Sequence, residues 1–495
     1  MFQLSEVAKL RRKVLAEISR LTFAGRLATD ITEILSTVVT EDGPRYRCCV
    51  HKERAVLKDR INLALSQPIG TPLDQAAQAA LDGQTADLPV MNVLPEACDR
   101  CPIDKFLVTD ACRNCLAHNC IASCPRKAIM VVQNRAYIDK AKCVECGLCK
   151  RSCSYGAIIE ISRPCERACD LKAITAGSDR RAYIDQDKCV SCGACKQACP
   201  FGAIADWSAI VQVIRQLRQG RKVHALLAPT FVGQFGPKVK PAQIVAGLRR
   251  MGFADVVEAS VGADIVALAE AREFVEAVPN HQPYMTTSCC PAFAAMVTKH
   301  SPAAADKVST TVSPMVATAK LIKEEDAEAV VVFIGPCTGK KEEARRSGGL
   351  VDYVLTFEEV AAMLVGADIN VAEIEAEPMV PASSRAGVNF ARAGGVTQAV
   401  AAVLADIAPT AELKPLRVDG LADCKAALDK LQAGEGNFLE GMACPGGCVG
   451  GPGILIDQAI GGKLVEIYAT GAAATAAPEN PDAVARAGKD SWHRS

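Results

Sequence analysis

Aromatic residues are scarce in this 495-residue chain, at 4%, and tryptophan occurs only twice. Its core must therefore be built from Ala, Val, Ile and Leu, which a 49% apolar composition supplies. Net charge is also lacking, because Lys plus Arg and Asp plus Glu both number 56. That removes any electrostatic argument for a nucleic-acid partner, and no polybasic run points to a membrane surface. No run of about 18 apolar residues occurs, so no transmembrane helix is expected. Residues 1–27 alternate charged and apolar positions like an amphipathic helix. They lack an apolar segment with a small-residue cleavage site, and Arg11-Arg12 is followed by none, so no export signal is read. No kinase, PAS-like or DNA-binding segment is visible. The expectation is a cytoplasmic protein of two to four domains with neither nucleic acid nor membrane as partner.

Cysteine, by contrast, is abundant, at 24 residues. In a long chain with tight CxxC-type runs this density points to metal rather than disulfides. Sixteen of the cysteines lie in residues 97–206. Cys143, Cys146, Cys149 and Cys153, and again Cys189, Cys192, Cys195 and Cys199, have the spacing of the bacterial ferredoxin run. In that run three thiolates hold one [4Fe–4S] cluster and the fourth reaches the neighbouring cluster. An internal repeat, Cys-x3-Cys-x3-Ala-Ile, recurs at Ala128, Ala157, Ala173 and Ala203, and Tyr137-Ile138-Asp139 returns as Tyr183-Ile184-Asp185. Cys124 precedes Cys143 by 19 residues and Cys169 precedes Cys189 by 20, which predicts two tandem ferredoxin-like units.

On that count Cys112, Cys115, Cys120 and Cys153 hold one cluster, and Cys124, Cys143, Cys146 and Cys149 a second. Cys169, Cys189, Cys192 and Cys195 hold a third. Ile159 and Ser162 stand where two further cysteines belong, leaving Cys165 and Cys199 short of partners, which Cys98 and Cys101 can supply. Four accessory clusters close the count. Three is the alternative, and a second pairing of the halves would exchange Cys153 with Cys199. His118 reads as a solvated loop residue, and Cys48-Cys49 as incidental.

Beyond residue 206 the pattern changes. Apolar strand-like runs at 223–228, 329–334 and 352–355 alternate with helical patterns at 241–251, 265–278 and 358–364, indicating an α/β domain with largely parallel sheet. Such domains carry chemistry in the loops after strands. The layout read is a helical region 1–96, tandem ferredoxin-like [4Fe–4S] domains 97–206, an α/β domain 207–466, and an Ala- and Pro-rich flexible tail 467–495.

Three segments of the α/β region stand out: Thr287-Ser288-Cys289-Cys290-Pro291, Pro336-Cys337-Thr338-Gly339-Lys340-Lys341-Glu342-Glu343, and Glu440 through Cys448. They resemble the three signature loops of [FeFe]-hydrogenases. The resemblance implies a two-lobed α/β catalytic domain. In it Cys290, Cys337, Cys444 and Cys448 hold the [4Fe–4S] part of an H-cluster, with Cys448 bridging to a two-iron subsite bearing CO, cyanide and a dithiolate. It makes Cys289 the first proton acceptor, followed by Glu270, Ser309 and Glu273. Lys340 anchors a cyanide, with Glu343 behind it. Ala228, Pro229, Thr230, Ser313, Phe390 and Met442 line the cofactor. The implied activity is that of an anaerobic ferredoxin hydrogenase, with H2 and protons as substrates, a low-potential carrier such as ferredoxin as partner, and dedicated maturation proteins.

Departures from the family pattern resemble its group B branch. Phe293 stands for the usual Trp and Gly335 for a methionine. Pro452 interrupts the glycine run, and Ala277 replaces the outermost arginine of the proton route. Two other readings stay open: an H2 sensor using the same cofactor, and a non-catalytic iron–sulfur carrier, which would have no need of Cys289, Lys340 or the glutamate pair.

Overall fold

The computed structural model describes residues 4–43, 45–101, 105–236, 238–376, 378–488 and 492–494. The amphipathic start forms the helix Glu6–Phe23, whose Val14, Leu15, Ile18 and Leu21 recur at helical spacing and are buried. Ser5 caps it by accepting the Ala8 N–H at 3.3 Å. This helix crosses the helix Phe357–Gly366 closely enough that a Cβ on Gly366 would lie 2.6 Å from that of Ser19. Its residues belong to the same hydrophobic cluster as strands of the α/β region.

Charge seals the same junction. Arg11 forks onto Glu358 at 2.6 and 2.8 Å, and Arg12 adds a bond at 3.2 Å. Asp206 meets Lys196 at 2.6 Å and Lys341 at 2.7 Å, and Lys341 also reaches Glu359 at 3.2 Å. Burial alone would raise the Asp206 carboxyl, but the two lysines outweigh it and hold it far below the usual range.

The cysteine-rich block is nested rather than tandem. One unit pairs Phe106–Val108 with Ile158–Glu160 and Ile129–Val132 with Arg135–Ile138, all antiparallel. The other pairs Met91–Val93 with Ile204–Asp206 and Ile174–Ala176 with Ala182–Ile184. The first unit is thus inserted between the opening strand of the second and the remainder of it. This corrects the tandem expectation and its boundary at residue 97, because the strand Met91–Val93 belongs to the second unit. It also explains the missing cysteines at Ile159 and Ser162: that half of the second unit is supplied from before the insertion. Each unit has its own small core, around Phe106, Ile129 and Ile158 in one and Met91, Ile174 and Ile204 in the other.

The α/β region holds two parallel sheets. Asp255–Glu258, Val223–Leu227, Val330–Gly335 and Tyr353–Thr356 lie side by side in that order. Met285–Thr286, Phe438–Met442 and Pro415–Asp419 form the second sheet. The strands of that second sheet were not read from the sequence: one is two residues long and another, Pro415–Asp419, carries Arg417 and Asp419.

The tail does not match the flexible expectation. Its described residues include the helix Pro481–Ala487, with Ala483 and Ala487 buried against the helix Ser260–Ala277. Asn480 donates to Asp264 at 2.9 Å, and Arg272 to the Ala487 carbonyl at 2.7 Å. Trp492 is 1% exposed. Alanine there gives close helix approach, and one large indole supplies the apolar area that anchors the segment.

Candidate active site

The three cysteine loops meet because their strands are parallel neighbours. Thr287–Pro291 follows Met285–Thr286, and the loop from Ala443 follows Phe438–Met442, so both leave the same sheet edge side by side. Cys337 follows Val330–Gly335 of the other sheet, next to Ala228-Pro229-Thr230 at the end of Val223–Leu227. Gly446 and Gly447 take φ of +73° and +89°, and a Cβ on Gly447 would sit 2.6 Å from the Ala393 nitrogen. Only glycine admits the turn that brings Cys448 back beside Cys444.

The loops border one cavity, whose wall includes Cys289, Cys290, Cys337, Cys444 and Cys448. Burial, then mutual charge with Cys290, pushes the Cys337 thiol up to about 11 and that of Cys448 up to about 12. Burial raises Cys444 as well, and thiols that resist losing protons, gathered with Cys290 on one cavity, are a donor set that a cation satisfies as thiolates. Lys340 also lines the cavity. Burial disfavours its charge, but Glu343 at 2.5 Å outweighs this and keeps the ammonium, which also donates to the Cys289 carbonyl at 3.2 Å. The Thr230 hydroxyl is buried on the cavity wall with no hydrogen-bond partner among the described residues. An orphaned hydroxyl and a buried ammonium facing a thiol-lined cavity fit an anionic cofactor.

Ala228, Pro229, Phe390 and Met442 line the same cavity. Ser313 does not. It is buried, caps the helix Pro314–Glu325 through the Val316 N–H at 3.5 Å, and lines a separate large cleft, because helix capping takes its oxygen away from the cavity. Phe293 stands behind the wall: a Cβ on Gly441 would come 2.3 Å from its ring. Two wall elements were missed in the sequence. Phe333 lines the cavity and fills the space beside Gly335, where a Cβ would lie 2.6 Å from its ring. The two-residue strand period, which puts 333 and 335 on one face, was the available signal. Glu440 is 1% exposed and accepts from the Gly394 and Thr397 amides and the Thr397 hydroxyl, each at 2.7 Å, fastening the wall that carries Phe390.

Behind Cys289 lies the helix Ser260–Ala277. Glu270 is fully buried, and neither carboxylate oxygen has a hydrogen-bond partner of normal geometry among the described residues. Burial, then the charge of Glu273, pushes its carboxyl up to about 8, against weaker opposition from Ser309 and the Ser288 amide. Burial, then the charge of Glu270, raises the Cys289 thiol well above its usual range. Glu273 accepts from Ser309 at 2.6 Å, from the Thr310 amide and hydroxyl at 2.7 and 2.9 Å, and from Thr311 at 3.0 Å. Cys289 thus feels the charge of Glu270, and Ser309 lies between Glu270 and the Glu273 carboxylate it donates to.

The sixteen thiols of the cysteine-rich block fall into four groups. Cys124, Cys143, Cys146 and Cys149 surround one small cavity, and Cys169, Cys189, Cys192 and Cys195 another. Cys120 has Cys153 and Cys115 as its charged neighbours, with Cys112 in the same cluster of side chains. Cys165 has Cys199 and Cys101, and Cys101 has Cys98. The repeated Ala has a purpose: the amides of Ala128, Ala173 and Ala203 each donate to a cysteine sulfur four residues back at 3.3 Å. Such bonds favour thiolate and tune a cluster's potential. All 24 cysteines are free thiols. Among the described residues no three His, Cys, Asp or Glu side chains converge on a single-ion site, and His118 bonds Asn114 at 3.1 Å.

The group at Cys192 abuts the main cavity. Thr338 donates to the Ser191 carbonyl at 2.7 Å, and a Cβ on Gly193 would lie 2.7 Å from the Pro452 ring. Pro452 thus packs the catalytic loop against the cysteine block.

Residues 221–452 match the family model "Iron only hydrogenase large subunit, C-terminal domain", and 136–159 and 182–205 match the 4Fe-4S binding domain. The periplasmic [Fe] hydrogenase large subunit of Nitratidesulfovibrio vulgaris is 30% identical over 67% of this chain and 90% of its own length. Iron hydrogenase 1 of Clostridium pasteurianum is 30% identical over 47% of this chain, and the match spans about half of that relative, 48%. A solved [FeFe]-hydrogenase structure from Chlamydomonas reinhardtii aligns over 56% of this chain and 93% of its own, at 25% identity and a TM-score of 0.47. With thiol loops, cavity and relatives all in agreement, the chain belongs to the iron-only, or [FeFe], hydrogenase large-subunit family.

Proposed function

We propose that this chain catalyses H2 + 2 oxidised carrier = 2 reduced carrier + 2 H+, with ferredoxin or a similar low-potential protein as carrier. The setting is an anaerobic cytoplasm, and dedicated maturation proteins load the site. What carries this reading is one cavity that joins five thiols, the Lys340 ammonium and the unpartnered Thr230 hydroxyl. Cys290, Cys337, Cys444 and Cys448 would hold the [4Fe–4S] part of the H-cluster, and Cys448 would also be a ligand for the two-iron part. When bound, the H-cluster supplies the irons at which H2 is split or formed and an amine that exchanges the proton.

The chain's own residues do the rest. Lys340, held by Glu343, and Thr230 would hold the cyanides. Phe333, Phe390 and Met442 keep water out. Cys289 takes or gives the proton, which moves through Glu270 and Ser309 to Glu273. Four [4Fe–4S] clusters on the four thiol groups carry electrons, with the Cys192 group nearest the active site; the contacts of Thr338 and Pro452 support that order.

The test is anaerobic maturation followed by infrared spectroscopy and dye-driven H2 evolution. CO and cyanide bands with turnover are expected. Full iron loading without those bands would refute the reading in favour of an iron–sulfur carrier. Bands without turnover would favour an H2 sensor.

A further inference from the structure

Ala277 leaves the outer end of the proton route without the arginine the family has there, and Glu273 is only half-buried. A segment distant in sequence covers that end. Residues 492–494 lie antiparallel to Thr310–Val312: the Val312 amide donates to the Trp492 carbonyl at 2.8 Å and the Arg494 amide to the Thr310 carbonyl at 2.7 Å, with Thr311 opposite His493. The segment is pinned on both sides. Trp492 is buried, its indole N–H donates to the Arg486 carbonyl at 2.9 Å, and the Lys320 ammonium sits 5.5 Å over its ring. Arg494 donates to the Ser288 carbonyl at 2.9 Å, next to Cys289.

His493 is thereby held with Nδ1 2.8 Å from the Thr310 hydroxyl, which itself donates to Glu273 at 2.9 Å. Because the hydroxyl proton is directed at the carboxylate, Nδ1 is the donor to the Thr310 oxygen. The imidazole is exposed and lines the large cleft that Ser313 also borders. Among the described residues, Glu273, Lys320 and Arg494 are charged groups near this end.

We propose that His493 is the outer relay of the proton route, joining solvent to Glu273 through the Thr310 hydroxyl. This rests on the hydrogenase reading above. In the inward step the imidazolium gives its Nδ1 proton to the Thr310 oxygen while the Thr310 hydroxyl proton passes to the Glu273 carboxylate. A neutral imidazole and a neutral carboxyl result, no electrons move, and water then reprotonates the ring. The reverse sequence discharges a proton outward. Trp492 and Arg494 act as positioning residues that hold the ring in register.

The test compares matured wild type, His493→Ala and His493→Gln. Both variants should lose about ten-fold in dye-driven H2 evolution, keep their infrared bands and keep the Val312 amide protected from hydrogen exchange. Millimolar imidazole should restore most of the rate in His493→Ala, as a positioning defect would not allow. Independently of turnover, the NMR signals of the His493 ring should move in Glu273→Gln protein carrying only its [4Fe–4S] clusters, because the Thr310 hydroxyl joins the two side chains. Full rate in the variants, loss that imidazole leaves untouched, or unmoved ring signals overturn the relay while wild-type turnover leaves the hydrogenase reading standing. A wild type that makes no H2 overturns both.

Discussion

Replacing Gly335 with methionine, the residue usual in the family, tests how this active-site wall is packed. Gly335 does not have positive φ, so the backbone accepts a side chain; space is the obstacle. A Cβ there would lie 2.6 and 2.7 Å from Cε1 and Cζ of Phe333 and 3.1 Å from the Ala228 Cβ. All three residues border the cavity or its wall, so the ring must swing into the cofactor space or the strand must shift. Overpacking of this kind costs about 1–3 kcal/mol. Phe333→Ala alone should cost about 3–5 kcal/mol, through lost burial and the void left behind. If Phe333 occupies the space a methionine would fill, the double variant refills its own void. It should then be no less stable than Phe333→Ala, with a favourable coupling above about 1 kcal/mol. The assay is anaerobic thermal unfolding of the four proteins carrying their [4Fe–4S] clusters, with CO inhibition and potential compared after maturation. Additive costs, within about 0.5 kcal/mol, would refute the claim that the two side chains share one space.

Other outcomes follow from the same geometry. Cys289→Ala should keep the CO and cyanide bands and lose most turnover; full activity would refute the assigned proton route. Iron should number about 22 per chain, and Cys98→Ser with Cys101→Ser should lower it to about 18, whereas an unchanged count would leave Cys98 and Cys101 outside the fourth cluster. Glu270 titrates near 8 in the fold and in the usual carboxylate range when unfolded. Its raised folded value means the native state holds the extra proton, so stability should fall as pH rises from about 4.5 through about 8. Glu270→Gln should flatten that decline; an unchanged slope in pH-dependent unfolding would contradict the dry, partnerless carboxyl.

Chelation was legible in the sequence because it is local. Three thiols at CxxCxxC spacing on one short loop can share a cluster whatever the surroundings, so the ferredoxin runs could be read directly, whereas the Cys444–Cys448 pair was legible only through its resemblance to a family loop. The helix Pro241–Met251 and the apolar strands around 223–227 and 330–335 were legible for a similar reason, since their periodicity is carried within the element. Only the tertiary structure could reveal relations between residues far apart in the chain. The strand Met91–Val93 joins a unit that resumes only after an inserted copy. Short polar strands form where a neighbouring strand completes them, so Met285–Thr286 and Pro415–Asp419 left little local signal. Ser313 looked like a cavity residue until helix capping claimed its oxygen. Alanine-rich sequence after residue 470 reads as loose until its partner helix is known, and His493 has no visible role until Trp492 is buried. Spacing determined which thiols can share a cluster; long-range packing decided how that site is walled and what covers its outer edge, because those contacts depend on which distant surfaces fit together.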